Sequence, residues 1–278
     1  MKNSIQAVTN AIFGFFLTVV LTLSLITATL ASTVLNRNFI VTQFSSASFC
    51  QGVMDSVIDN ALNLGIPSQI GEEELTGVFE YEKVQNDITM YMVKSFEGIT
   101  YAVDTSAMAQ KLTENINKAI VGDGVELTPE INKQVGVFVS QVMADYTSAV
   151  SFSFVSYLVK AVSLFNKILL PLCVGLVVAI LVLVGLIVVF NKYMHRSLRQ
   201  INYSIMAAAL TGLIASMFCI ISGIYTRVQL SPEYFYNMFV KYISTGLIVL
   251  LVLSIALILT DVVIWVFTWK LRRNASVK

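Results

Sequence analysis

Residues 168–190 read ILLPLCVGLVVAILVLVGLIVVF, a run of 23 residues without a charge or an acid–amide side chain. A helix needs roughly 20 apolar residues to cross the hydrocarbon of a bilayer. Backbone polar groups in lipid have no water to bind, so such a run must close its own hydrogen bonds as a helix. Three more runs share the pattern: residues 11–33, 203–225 and 243–268. Only the last contains a charge, Asp261. Apolar residues make up 56% of the chain and charged residues 13%, about half the charge of a soluble domain. The expected fold class is therefore an all-α integral membrane protein with four transmembrane helices.

The acid lies elsewhere. Fifteen of the seventeen Asp and Glu residues fall between residues 34 and 164, against seven Lys and Arg, a balance of −8. This block is the one long segment between apolar runs. The expected division is a short N-terminus (1–10), helix 1 (11–33), an acidic helical-bundle domain (34–165) and helix 2 (166–190). A basic loop (191–202), helix 3 (203–225), a short aromatic helix or loop (226–242), helix 4 (243–269) and a basic tail (270–278) follow. Residues 11–33 exceed the apolar core of a secretory signal, and Lys2 is the only basic residue before them; they read as a retained anchor.

Orientation rests on basic residues. Lys2, Lys192, Arg196, Arg199, Lys270, Arg272, Arg273 and Lys278 fall in the short segments on one side, with no acid among them. Such segments stay cytoplasmic. Both termini are expected inside and residues 34–165 outside. Trp265 and Trp269 suit an inner aromatic belt; Tyr225, Tyr234, Phe235, Tyr236, Phe239 and Tyr242 suit an outer one. Cys50 is the sole cysteine of the acidic domain, so no disulfide can form within it. Extracellular animal domains are commonly stapled by disulfides. The sequons at Asn202 and Asn274 face the cytoplasm in this topology, and a bacterial plasma membrane is the expected setting.

Within the acidic domain, Phe49, Val53, Val57 and Ala61 recur every four residues, which predicts a helix from 48 to 64 with one buried face. Gly65-Ile66-Pro67 ends it. Further stripes are Val84, Ile88, Tyr91 and Met92; Met108, Leu112, Ile116 and Ile120; and Ile131, Val135, Phe138, Val142 and Tyr146. Residues 99–103 read as extended. Asp104 or Thr105 caps the third helix, and Thr128-Pro129 opens the fourth. Phe152, Val155, Val159 and Val162 continue as a helix into the second span.

Leu35-Asn36-Arg37-Asn38-Phe39, Val103-Asp104-Thr105-Ser106 and Lys111-Leu112-Thr113-Glu114-Asn115-Ile116 resemble segments of four-span proteins of low-GC Gram-positive bacteria with a helical extracytoplasmic domain. The resemblance covers roughly residues 1–190. It implies a bacterial origin and brings no activity or site residue with it.

Catalytic chemistry has no foothold in these residues. The single histidine, His195, sits among basic residues and reads as a surface side chain. No Cys-X-X-Cys, His-Glu-X-X-His or Gly-Lys-Ser/Thr phosphate loop occurs. Neither a catalytic residue, a metal nor a cofactor is expected, and the acidic balance argues against nucleic acid. The sharpest lead is Asp261, roughly 13 Å inside the inner boundary at 1.5 Å per residue. An acid there is costly and normally faces a bundle interior or a water path. Thr18 and Thr211 fall at similar depth, so an intramembrane polar cluster of Asp261, Thr18 and Thr211 is expected. Ala208, Gly212, Ser216, Cys219 and Gly223 form a small-residue stripe suited to close helix packing, a homo-oligomer or a partner's helix. Two functional classes follow: a non-enzymatic protein whose outer domain binds another membrane or envelope protein, as accessory subunit or sensor, and a small transporter or channel using Asp261. Membrane lipid is a partner in either case.

Overall fold

The computed structural model describes residues 2–68, 70–191 and 193–275, with side chains from residue 8 to residue 269. Lys192 and the side chains of Lys2, Lys270, Arg272, Arg273, Asn274 and Lys278, several of which set the expected orientation, lie outside the described residues. The described chain is helical, with no strand. Four of its helices are long and apolar enough to cross a membrane. The helices are α1 (Lys2–Ser32), α2 (Arg37–Phe44), α3 (Ala47–Gly65), α4 (Glu72–Leu75), α5 (Tyr81–Glu97), α6 (Ser106–Gly122), α7 (Pro129–Val150), α8 (Val155–Phe190), α9 (Met194–Ser222) and α10 (Glu233–Ala275).

These divide into two compact units. Residues 37–161 with 229–239 form the helical unit; residues 1–36, 162–228 and 240–278 form the membrane unit. In the helical unit the apolar stripes point inward. Val53, Val84, Ile88, Met92 and Leu112 are wholly buried. The helix boundaries have local causes. Gly98 ends α5 at φ 73°, a left-handed conformation that glycine adopts without a Cβ clash. Thr128 Oγ1 accepts from Ile131 N at 3.3 Å and Pro129 takes the first helical position of α7. Asp104 Oδ1 accepts from Ser106 N at 3.0 Å ahead of α6.

Two expectations of continuity change. Residues 148–167 are not one helix: α7 stops at Val150, a turn covers 151–154, and α8 starts at Val155. Phe152 is drawn into an aromatic cluster, and its carbonyl accepts from Tyr91 Oη at 2.9 Å. Conversely, the aromatic segment within 226–242 is not a separate interfacial helix. After a 3-10 turn at Ile224–Arg227, its residues from Glu233 on are the first turns of α10. Tyr234 and Phe235 pack there on Phe49 at ring separations of 5.4 and 5.2 Å, and Phe235 meets Phe152 at 5.2 Å. Gly52 makes that approach attainable, since a Cβ on it would lie 2.4 Å from Tyr234 Cβ.

In the membrane unit α9 packs most extensively on α1. Ala208, Gly212 and Ser216 of the small-residue stripe are buried on it. A Cβ on Gly212 would lie 2.4 Å from Ser254 Oγ of α10 and 3.5 Å from Leu25 Cδ1 of α1. The stripe therefore packs within this chain's own helices along that length. Cys219 is only partly buried, and Gly223 is the left-handed cap that ends α9.

Gly212→Leu should consequently separate α9 from α10, at about 1–3 kcal/mol for overpacking. Gly185→Ala on α8, where an added Cβ meets nothing within 4 Å, should be silent. Thermal stability of the two purified variants checks the contrast; equal loss in both would show that Gly212 is not a packing contact.

Candidate functional site

Three places in the molecule carry polar groups or hollows that packing alone does not require. The first is a ladder of polar side chains near one end of the membrane unit. Asn10 donates to Asn191 Oδ1 at 2.8 Å, Ser204 Oγ to Gly14 O at 2.9 Å, and Ser197 Oγ to Ile187 O at 3.3 Å. Each bond joins two different helices among α1, α8 and α9, or the residues that end them. In lipid such bonds hold helices together because no water competes for the groups.

Asp261 lies beside this ladder, on α10, with 2% of its surface exposed. Its neighbour is not the expected pair of threonines. Thr211 is exposed and donates to its own helix at Ala207 O, 2.8 Å away. Thr18 donates to Gly14 O at 3.0 Å and lies 3.4 Å from Ser204 O. Both hydroxyls have turned to backbone carbonyls, the ordinary solution for a threonine inside a helix. The partner of Asp261 is Asn202 of α9, whose Nδ2 donates to Asp261 Oδ2 at 3.3 Å. Asn202 was legible only as a sequon. Counted depth put it just outside the third apolar run, 203–225, and so away from Asp261. The remaining oxygens, Asn202 Oδ1 and Asp261 Oδ1, are both buried without a partner. A hollow of about 130 Å³ adjoins Asn202, between α9 and α10, and His195 is part of its wall.

The second place is a buried carboxylate in the helical unit. Asp87 on α5 is wholly buried. Its Oδ1 accepts from Lys83 Nζ at 2.8 Å and Tyr101 Oη at 3.0 Å, and its Oδ2 from Tyr146 Oη at 2.7 Å. Three donors offset the desolvation of one charge. Tyr101 is pushed up to about 12 by burial first, then by its hydrogen bond to Asp87 and that residue's negative charge. Tyr146 is raised further by the same causes. Sequence reading placed Tyr146 on the inner face as an apolar residue and passed over Asp87; its position between Val84 and Tyr91, on the buried stripe, was the available clue.

The third is a groove of about 640 Å³ where the end of α3 meets the first half of α7. Leu64, Val137 and Phe138 supply apolar wall, and Glu130, Lys133 and Gln134 a polar rim. Leu64 is 36% exposed and Val137 58%. Cys50, by contrast, is buried, and burial pushes its thiol up to about 11, which leaves it little thiolate at neutral pH. Among the described residues no group of three His, Cys, Asp or Glu could hold a metal.

No protein-family model, characterised protein or solved structure significantly matches the chain. The geometry alone therefore carries the functional reading.

Asp87→Ala should lower the stability of the full chain by about 2–4 kcal/mol, because Lys83 and Tyr146 lose their acceptor. The tyrosines give a pH test. A folded-state value raised above the unfolded one near 10 contributes stability that is complete below pH 10. That stability should be lost as pH rises toward about 12, the value for Tyr101. Ultraviolet titration at the phenolate band, with helical content followed in parallel, should show Tyr101 ionising only in that window or on unfolding, and Tyr146 only above it or on unfolding.

Proposed function

We propose that this chain is a non-enzymatic, multi-pass protein of a bacterial plasma membrane. Its termini are cytoplasmic, its residues 34–165 are extracytoplasmic, and its helical domain binds a partner protein or envelope component as an accessory subunit or sensor. The groove between α3 and α7 carries the reading. It is open, it has apolar wall in Leu64 and Val137, and Ile66 beside it is 70% exposed. Exposed apolar surface in a groove with a polar rim marks an interaction site in a water-facing domain. The domain's balance of −8 selects the chemistry of the occupant: a segment with apolar side chains flanked by Lys or Arg.

Within the helical unit, Tyr234 and Phe235 at the start of α10 close the aromatic core around Phe49 and Phe152. The second reading, a small transporter or channel, is favoured by one observation, the buried and incompletely partnered Asp261.

Cysteine labelling of intact cells, on a background lacking the native cysteines, should modify position 123 and spare position 195. The reverse pattern would invert the topology and remove the extracytoplasmic domain from the proposal.

A photo-crosslinking residue at Val137 should give a discrete adduct with a basic protein, absent when the same residue replaces exposed Glu114 on α6. Salt should weaken the adduct, as screening of opposite charges requires. Identical adducts at both positions would overturn the groove as the binding site, and an adduct with a second copy would replace the separate partner by a homo-oligomer.

A further inference from the structure

Both tryptophans of the chain, Trp265 and Trp269, line the hollow of about 130 Å³ between α9 and α10 described above. The opposite wall is one face of α9: His195, Arg199, Asn202 and Tyr203, at helical spacings of four, seven and eight. Asp261 precedes Trp265 by one turn on the same face of α10. Along these helices the lining is graded. Exposed His195 and Arg199 lie toward the helix ends, and Asn202, 6% exposed, is the buried member of the wall; Asp261, 2% exposed, lies behind Asn202 and does not itself line the hollow.

The deep pair is chemically incomplete in one direction. Asn202 Nδ2 is used on Asp261 Oδ2, while Asn202 Oδ1 and Asp261 Oδ1 accept nothing. Two buried acceptors, one on a carboxylate, call for a donor, and a cationic donor answers best. Indole and phenol faces alongside attract a cation further. A calcium- or magnesium-type ion would want more carboxylates than one. Toward the helix ends the sign reverses: Arg199 has no acid partner among the described residues and presents a fork suited to phosphate or carboxylate.

We infer that this hollow binds a primary ammonium group borne next to an anionic group. The ammonium sits against Asn202, the member of the pair that lines the hollow, with the Asp261 carboxylate behind it supplying the opposite charge, and the phosphate or carboxylate faces Arg199. An anion alone would leave both buried acceptors empty, and an apolar ligand would leave them empty and Arg199 unused. The headgroup of an amine-bearing phospholipid and a small soluble zwitterion share this chemistry. The inference is independent of the groove on the helical domain.

Because no other tryptophan exists, indole emission of the full-length protein reads this site directly. The protein is placed in nanodiscs of phosphatidylglycerol and titrated with phosphoethanolamine; in a second arm, part of the lipid is replaced by phosphatidylethanolamine. A saturable emission change is expected. Response to the soluble probe assigns a soluble zwitterion, and response to the lipid alone assigns the headgroup. Asp261→Asn, which retains an amide in place of the acid, should weaken the response at least about tenfold, as loss of the opposite charge implies. Arg199→Gln, at an exposed position, should abolish the preference for phosphoethanolamine over ethylamine. Absence of a saturable change in both arms would overturn the inference, leaving water as the occupant. So would inorganic phosphate alone reproducing the change, or wild-type affinity in Asp261→Asn. Should the Asp261→Asn protein lose helical content, Arg199→Gln decides, and an unchanged preference there overturns the inference.

Discussion

Every peptide group that enters hydrocarbon must find its hydrogen-bond partner within its own segment. That constraint organises the membrane unit. It makes four long helices of the apolar runs, and it governs the hydroxyls among them as well. Thr22, Ser24, Thr29, Thr211 and Ser254 all donate to the carbonyl four residues earlier. Thr18 and Ser204 divide theirs between their own helix and a neighbour. The polar groups that reach across, among them Asn10, Thr18, Ser197, Gln200, Asn202 and Ser204, bear on which helices touch and in which register. These six lie toward one end of α9, the helix that also carries the small residues; Tyr242, which donates to Val34 O, lies elsewhere.

The same reasoning explains what could be read in advance. Four apolar runs, and stripes such as Phe49–Val53–Val57–Ala61, depend on local periodicity, and periodicity is written in the sequence. Thr128-Pro129 and Gly98 are equally local. The misplacements concern partners distant in sequence. Depth alone grouped Thr18 and Thr211 with Asp261, but depth fixes height along a helix and leaves the direction of the side chain undetermined. Thr211 faces outward and Thr18 turns to a carbonyl. Asn202 sits 59 residues from Asp261, and nothing local announces their pairing. Tyr234 and Phe235 looked like an interfacial belt because their aromatic character suits one; the deciding feature is Gly52, whose missing side chain lets them into the helical core.

Among the described residues two carboxylates are buried, and their surroundings differ in kind. Asp87 is met by a lysine and two tyrosines. With three donors for its two oxygens it is a closed site, able to fix α5 against α7 and the 98–105 link, and offering a ligand nothing. Asp261 is equally inaccessible but receives one amide, at 3.3 Å, and keeps an oxygen without a donor. Desolvating a carboxylate is expensive in either setting and more so in lipid. A purely structural clasp at that depth would be better served by two amides, which pair without a charge. The buried acid, the adjoining hollow and the indoles on the same helix face are accounted for together when something positively charged completes the pair.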